Sequence, residues 1–337
     1  MKIVDKIYNV NNGIWDINKN VIINKERSII NLGTKKVFKY HEDIKRCFYS
    51  NNYLFLLRDV DISILDENLN LLNRINQNGA VGISIFDKEN YAIWFENEDE
   101  EEYFDLYSDA QFIARGDFFY GKFLNKDYCY RLKKRKDFQH FRLTDLLNTK
   151  TYFEHQCEEG YELVSDFYIW QETLIFMYFK DVDLILEQRD IKTGKIIWKT
   201  NIQDSSFIFD DERGIMVSIW GNSGKYSENK DQYQIIDLKR RTVEIGFPQK
   251  SFDFINVESH MGSALYKNKL YFSDNPFSYV NQEPNPIYVG CFDIESKKVD
   301  FIQVIPEMAG SQVAQIICND DKLYVRSANG DLIVYEV

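Results

Sequence analysis

Any chemistry in this chain has to come from a small set of residues. Asp105, Asp190, Asp237 and Asp293 recur at the ends of apolar runs, and a ring of carboxylates is one thing such spacing could build. Each is also read as preceding a short polar turn, where an Asp side chain accepts hydrogen bonds from backbone N–H groups just ahead of it. Their periodic placement favours that structural role. The four histidines, His41, His140, His155 and His260, stand in no HxH or HExxH spacing, so no metal site is expected. There is no GxSxG elbow and no GxxxxGK[ST] loop. The GNSG of residues 221–224 follows a strand-like run and opens no helix, so it lacks the aligned N–H groups that would hold a phosphate. Neither a catalytic residue nor a cofactor is expected.

Residues suited to binding are easier to find. Two charge runs stand out, ENEDEEE at 96–102 and KKRK at 133–136. Such runs are ordinarily solvated loops, and an exposed pair between them would contribute only about 0–1 kcal/mol. The acidic run lacks the alternating ligands and glycine of a calcium loop. Two long loops follow, GNSGKYSENKD at 221–231 and NPFSYVNQEPN at 275–285. Long loops cost ordering entropy and add little core, so they are where binding concentrates, and aromatic side chains are the commonest anchors. The expected partner-binding residues are Tyr226, Phe277 and Tyr279, with Glu98, Asp99, Glu100 and Glu101 for a basic partner.

What positions these residues is a repeated hairpin. The stretch 184–202, LILEQRDIKTGKIIWKTNI, is an apolar run, a polar turn and a second apolar run, with Gly194 where positive φ is needed. Weaker copies divide the chain into units at 13–40, 44–75, 81–115, 116–154, 163–202, 205–245, 260–305 and 312–337. The runs are short, rich in Ile, Val, Tyr and Phe, and bounded by Asn, Asp, Gly or Lys, with no convincing amphipathic helix. About 42 residues per unit suits four-stranded propeller blades.

The expectation is an all-β, single-domain β-propeller over 1–337, with eight four-stranded antiparallel blades, strands A to D. Seven blades result if unit one or four is misparsed, and a β-sandwich or two stacked β-domains is the rival. The last unit has strands A, B and C but no D. The segment 1–10, through its run KIVDKIYNV, can supply one and close the ring without a long open edge. In such blades the A–B and C–D turns share one end, and the B–C and D–A connections share the other. Both charge runs and both long loops fall at the second end, so the partner is expected there.

The hairpin with Asp190, Thr193-Gly194-Lys195 and Trp198 resembles the repeat of the quinoprotein-like propellers. The run NDDKLYVRSANGDLIVYEV at 319–337 is similar to the terminal blade of that group and of other bacterial propellers. The resemblance implies a fold. It does not imply the quinone cofactor, since an adjacent cysteine pair is missing and the tryptophan is not repeated.

Composition narrows the function classes. A formal charge of −12 argues against a nucleic-acid backbone as partner and suits a basic protein. The five cysteines are widely spaced and form no CxxC pair, so neither a disulfide framework nor a zinc site is expected. No signal-peptide h-region and no membrane-length apolar stretch is read, which points to the cytoplasm and away from a membrane. The expected function is a non-catalytic protein-binding scaffold, with a bacterial immunity protein neutralising a toxin as its specific form. The alternative is an enzyme or small-ligand binder using the central channel.

Overall fold

In the computed structural model the described residues are 1–17, 20–41, 43–50, 53–77, 79–87, 89–96, 102–109, 111–119, 121–132, 140–156, 161–220, 232–248, 257–258, 262–274, 287–308 and 311–337. They form eight four-stranded antiparallel groups. The leading strand β1 (Lys2–Ile7) belongs to the last group. The first group holds β2 (Val10–Ile17), β3 (Asn20–Lys25), β4 (Ser28–Asn31) and β5 (Val37–Lys39). The second holds β6 (Arg46–Ser50), β7 (Tyr53–Leu57), β8 (Asp61–Leu65) and β9 (Leu71–Asn76), and the third β10 (Ala80–Ile85), β11 (Asn90–Glu96), β12 (Glu102–Ser108) and β13 (Gln111–Asp117). The fourth holds β14 (Gly121–Phe123), β15 (Cys129–Leu132), β16 (His140–Thr144) and β17 (Thr151–Gln156), and the fifth β18 (Tyr161–Trp170), β19 (Thr173–Lys180), β20 (Asp183–Asp190) and β21 (Ile196–Ile202).

In the sixth are β22 (Ile208–Asp210), β23 (Ile215–Trp220), β24 (Gln232–Asp237) and β25 (Thr242–Gly246). A two-residue strand, β26 (Val257–Glu258), pairs with β23 on one side and with the seventh group on the other, joining both into one nine-stranded sheet. The seventh group is β27 (Ala264–Tyr266), β28 (Lys269–Asp274), β29 (Tyr288–Asp293) and β30 (Lys298–Val304). The eighth is β31 (Val313–Asn319), β32 (Lys322–Ser327) and β33 (Leu332–Glu336), completed by β1. Among the described residues the only helical turn is a 3-10 turn at Pro306–Met308.

Second and third strands of a group read as nearly unbroken apolar runs, such as YLFLL in β7, because they are buried on both faces. The fourth strands are edges and stay wet: Leu71, Leu72, Phe112, Ile113, Ile196 and Ile245 are all exposed there. The chain divides into two compact units, Tyr40–Ser205 and Met1–Lys39 with Ser206–Val337. Within the first, Phe55, Ile62 and Ile64 of the second group share a core with Ile83, Tyr91 and Ile93 of the third. Phe141 and Leu143 likewise pack with Leu174 and Phe176 of the next group along.

In the other unit Val217 and Ile219 meet Leu270 and Phe272, Val289 and Cys291 meet Ile316 and Val325, and Leu332 and Val334 meet Val10 and Ile14. The terminal groups are stitched by hydrogen bonds as well. β1 runs antiparallel to β33 with Lys2 opposite Glu336 and Ile7 opposite Leu332, as expected of a closing strand. Gln315 clamps β2 through both ends of its amide, accepting from Ile14 N at 2.8 Å and donating to Ile14 O at 2.7 Å.

Candidate functional site

The recurring carboxylates divide into two kinds. Asp190 accepts from the backbone N–H of Thr193 at 2.7 Å, Asp237 from that of Arg240 at 2.8 Å, and Asp293 from that of Ser296 at 2.7 Å. These three cap their own turns, as expected, and Asn31, Asp66 and Asp145 do the same for Thr34, Asn70 and Thr149. Asp105 does not. It sits inside β12 with its side chain buried and takes two hydrogen bonds from Arg115 of β13, at 2.7 and 2.9 Å. A carboxylate in mid-strand has no turn N–H within reach, so it needs a cationic neighbour instead.

Other buried polar side chains are also used within their sheets. Glu187 on β20 is 1% exposed; it accepts from Tyr178 Oη at 3.1 Å and from Arg189 Nε, while Lys199 Nζ lies 3.9 Å away. His155 Nδ1 is 3.3 Å from Arg189, and the imidazole ring meets Phe141 and Phe176, so this histidine is part of a packed network. Arg58 binds Asp61 and Ser63 at 2.8 and 2.7 Å. Among the described residues no three His, Cys, Asp or Glu side chains converge as a metal site would require. Burial raises the thiols of Cys129, Cys318 and Cys291, the second to about 11 and the third to about 12, which leaves them protonated and unreactive near neutrality.

Tyr226, Phe277, Tyr279, Glu98, Asp99, Glu100 and Glu101, the residues expected to meet a partner, lie outside the described residues, as does the KKRK run. The described chain offers a different location. Between the second and third groups is a cavity of 420 Å³. Tyr53, Ile64 and Leu72 line it from the second group, and Glu89, Tyr91 and Asp109 from the third. All six stand near the A–B and C–D turns, the end opposite to the one expected from loop length.

Local turn chemistry builds this site. Asp87 accepts from the N–H groups of Glu89 and Asn90 at 2.9 and 2.8 Å, fixing the tight A–B turn. Burial works against its charge, but those hydrogen bonds prevail and hold the carboxyl below its ordinary range. The next turn is tied to this one, because Asp109 N donates to Glu89 O at 3.0 Å. Asp109 itself takes φ 49°, which Asp tolerates better than most residues. Glu89 and Asp109 are thereby held at one rim, on two linked turns.

Behind them the wall is aromatic. Tyr91 stacks on Tyr107 with ring centroids 5.4 Å apart and meets the edge of Phe55 at 6.0 Å. Tyr107 in turn meets the exposed Phe112 at 6.1 Å, so a file of rings leads from the cavity to the outer surface. Gln77 donates to Tyr107 Oη at 2.6 Å. Tyr91 is 1% exposed, and its hydroxyl has no hydrogen-bond partner among the described residues. Burial drives that phenol's pKa well above the usual tyrosine value. The lining residues come from separate strands and turns, and only the sheet pairing brings them together; the turn signal DKEN at 87–90 is the one local mark of them.

No protein-family model matches the chain, and no curated protein matches its sequence. Solved structures do match it. BamB from Moraxella catarrhalis aligns over 100% of this chain and 97% of its own, with TM-score 0.56 and 9% identity. The Dos1 propeller aligns over 99% and 94%, with TM-score 0.57 and 12% identity. The WD40 domain of SCAP from fission yeast aligns over 98% and 91%, with TM-score 0.53 and 9% identity. Together with its eight four-stranded antiparallel groups, this gives the chain the β-propeller fold, similar at fold level to the quinoprotein-like and WD-like propellers.

Proposed function

We propose that the chain is a non-catalytic protein-binding scaffold. The observation that carries this reading is the surface around the cavity. Exposed Leu71, Leu72, Phe112 and Ile113 lie on the two outer strands of the groups that enclose it. Leu72 lines the pocket and Phe112 packs on Tyr107 behind it, which are the makings of an interface, whereas buried polar groups such as Asp105, Glu187 and Arg58 are already committed inside their sheets. The same fold in other chains supports a scaffold without deciding what is bound.

Within this reading the partner is basic, and the formal charge of −12 supports that choice. A cytoplasmic immunity protein that occupies a toxin is its biological form. The test is affinity capture from the native host followed by size-exclusion chromatography of the recovered complex. A stoichiometric protein partner, lost from Leu72→Asp and Phe112→Asp variants that keep the wild-type circular dichroism, is the expected result. Recovery of a tightly held metabolite with no protein partner overturns the scaffold and favours a small-ligand binder.

A further inference from the structure

We infer that the outer edge of β33 is an exchange site for the β1 strand of a second copy, so that two chains complete each other's eighth group. The inference stands apart from the scaffold reading, because it uses only the seam between the first and last strands. In the eighth group β31, β32 and β33 are joined by tight turns, whereas β1 reaches β33 with no hairpin between them. What holds β1 is therefore non-covalent, and it is modest. Five residue pairs register across the seam, with a bulge between Ile3 and Asp5. Lys2, Val4, Asp5 and Lys6 are exposed, and only Ile3 and Ile7 of this strand are partly buried. Two polar ties are added. Lys6 Nζ donates to Glu307 at 2.8 Å, an exposed pair of little strength, and the Met1 ammonium donates to Gln303 Oε1 at 3.0 Å.

The edge that β1 covers tolerates exposure poorly. Leu332, Ile333, Val334 and Tyr335 are at most 3% exposed, and without β1 they would present unpaired N–H and C=O groups along an apolar strand. The segment that fits this edge in register is β1, and a second copy carries the same one. Seated from the other chain, it remakes each of these contacts, so the exchanged pair differs from the closed monomer only at the hinge and in its dependence on concentration. That hinge is Tyr8 and Asn9, both exposed, and Asn9 takes left-handed backbone at φ 60°. Beyond it Val10 is buried and its N–H donates to Gly330 O at 2.8 Å, which pins β2 whichever copy supplies β1. Short hinges held in a costly conformation favour exchange, because straightening them relieves the left-handed residue.

The test uses the whole chain and changes only exposed side chains. Lys6→Glu and Glu307→Lys each set like charges across the seam within one chain, but mixed they pair opposite charges between chains in both directions. One variant is isotope-labelled, and the mixture is held at about 1 mM before native mass spectrometry and light scattering. A heterodimer up to about fivefold more abundant than the dimers of either variant alone is expected. Asn9→Gly, which accepts left-handed backbone, should lower the wild-type dimer fraction about threefold, and Asn9→Val should raise it. Lys2→Cys with Glu336→Cys separates exchange from any other association. Oxidised as the monomer it should no longer dimerise, and oxidised after dimerisation it should carry the disulfide between chains. Dimers that form as readily from the pre-oxidised protein overturn the inference, as does a chain that stays monomeric both in the charge-swapped mixture and as Asn9→Val. Either result leaves the scaffold reading standing.

Discussion

Burial raises the phenols of Tyr91, Tyr233, Tyr271 and Tyr335, and the Glu244 carboxylate hydrogen-bonded to Tyr233 helps carry that one up to about 12. The sign of the consequence is fixed. Unfolded tyrosines lose their protons near pH 10, while these folded ones hold theirs to higher pH. Their contribution to stability is therefore complete below about pH 10 and is lost as pH rises toward the folded values. Urea unfolding should give a lower midpoint at pH 11 than at pH 7, the buried thiols beginning the fall above about pH 8.5 and the phenols steepening it above about pH 10; an unchanged midpoint at pH 11 would contradict the burial of these rings. Glu187 supports a second prediction. Replacing it with Ala leaves Arg189 without its buried carboxylate and should destabilise the fold by about 3 kcal/mol, measured by urea unfolding. A loss below about 1 kcal/mol would show that the pair is solvated.

At the scale of the element, the third-to-fourth-strand hairpin is the unit that repeats, and much of it was legible in the sequence. Asp190, Asp237 and Asp293 announce their turns because an Asp side chain bonds backbone only a few residues ahead, a local relation that spacing reveals. Asp105 was misassigned for the complementary reason. Its partner Arg115 lies across the sheet, and nothing local separates a capping Asp from a mid-strand one in EYFDLY. The two-residue β26 gives no periodicity to read, and the cavity depends on strand register between groups. The hairpins also share a backbone requirement. Gly194 takes φ 67°, but Arg241 and Lys297 occupy the matching place at 57° and 59°. Left-handed backbone is costly for a residue with a Cβ. Arg241 is exposed, so Arg241→Gly should stabilise the protein by about 0.5–1 kcal/mol, seen as a higher thermal midpoint. A lower midpoint would mean that the arginine side chain matters more than the turn.

Across the whole molecule, repetition supplies the fold and irregularity supplies the site. Eight groups of similar strands bury their central strands and leave edges wet, so identical repeats would present the same outer surface at every group. The second and third groups depart from this through Tyr91, Glu89 and Asp109, and there the proposed partner docks. A repeat array keeps such a surface rigid only if its terminal groups are held, because an unpaired edge frays and invites other strands. The central claim is accordingly that β1 completes the eighth group by pairing with β33. Lys2 and Glu336 are exposed cross-strand neighbours, and such pairs have Cα separations of about 4.5–5.5 Å, within disulfide range. The direct measurement is mass spectrometry of the double variant Lys2→Cys with Glu336→Cys after mild oxidation. The account predicts an intramolecular disulfide between the two positions in monomeric protein, with a raised thermal midpoint. Free thiols at both positions, or cross-links only between molecules, would contradict it.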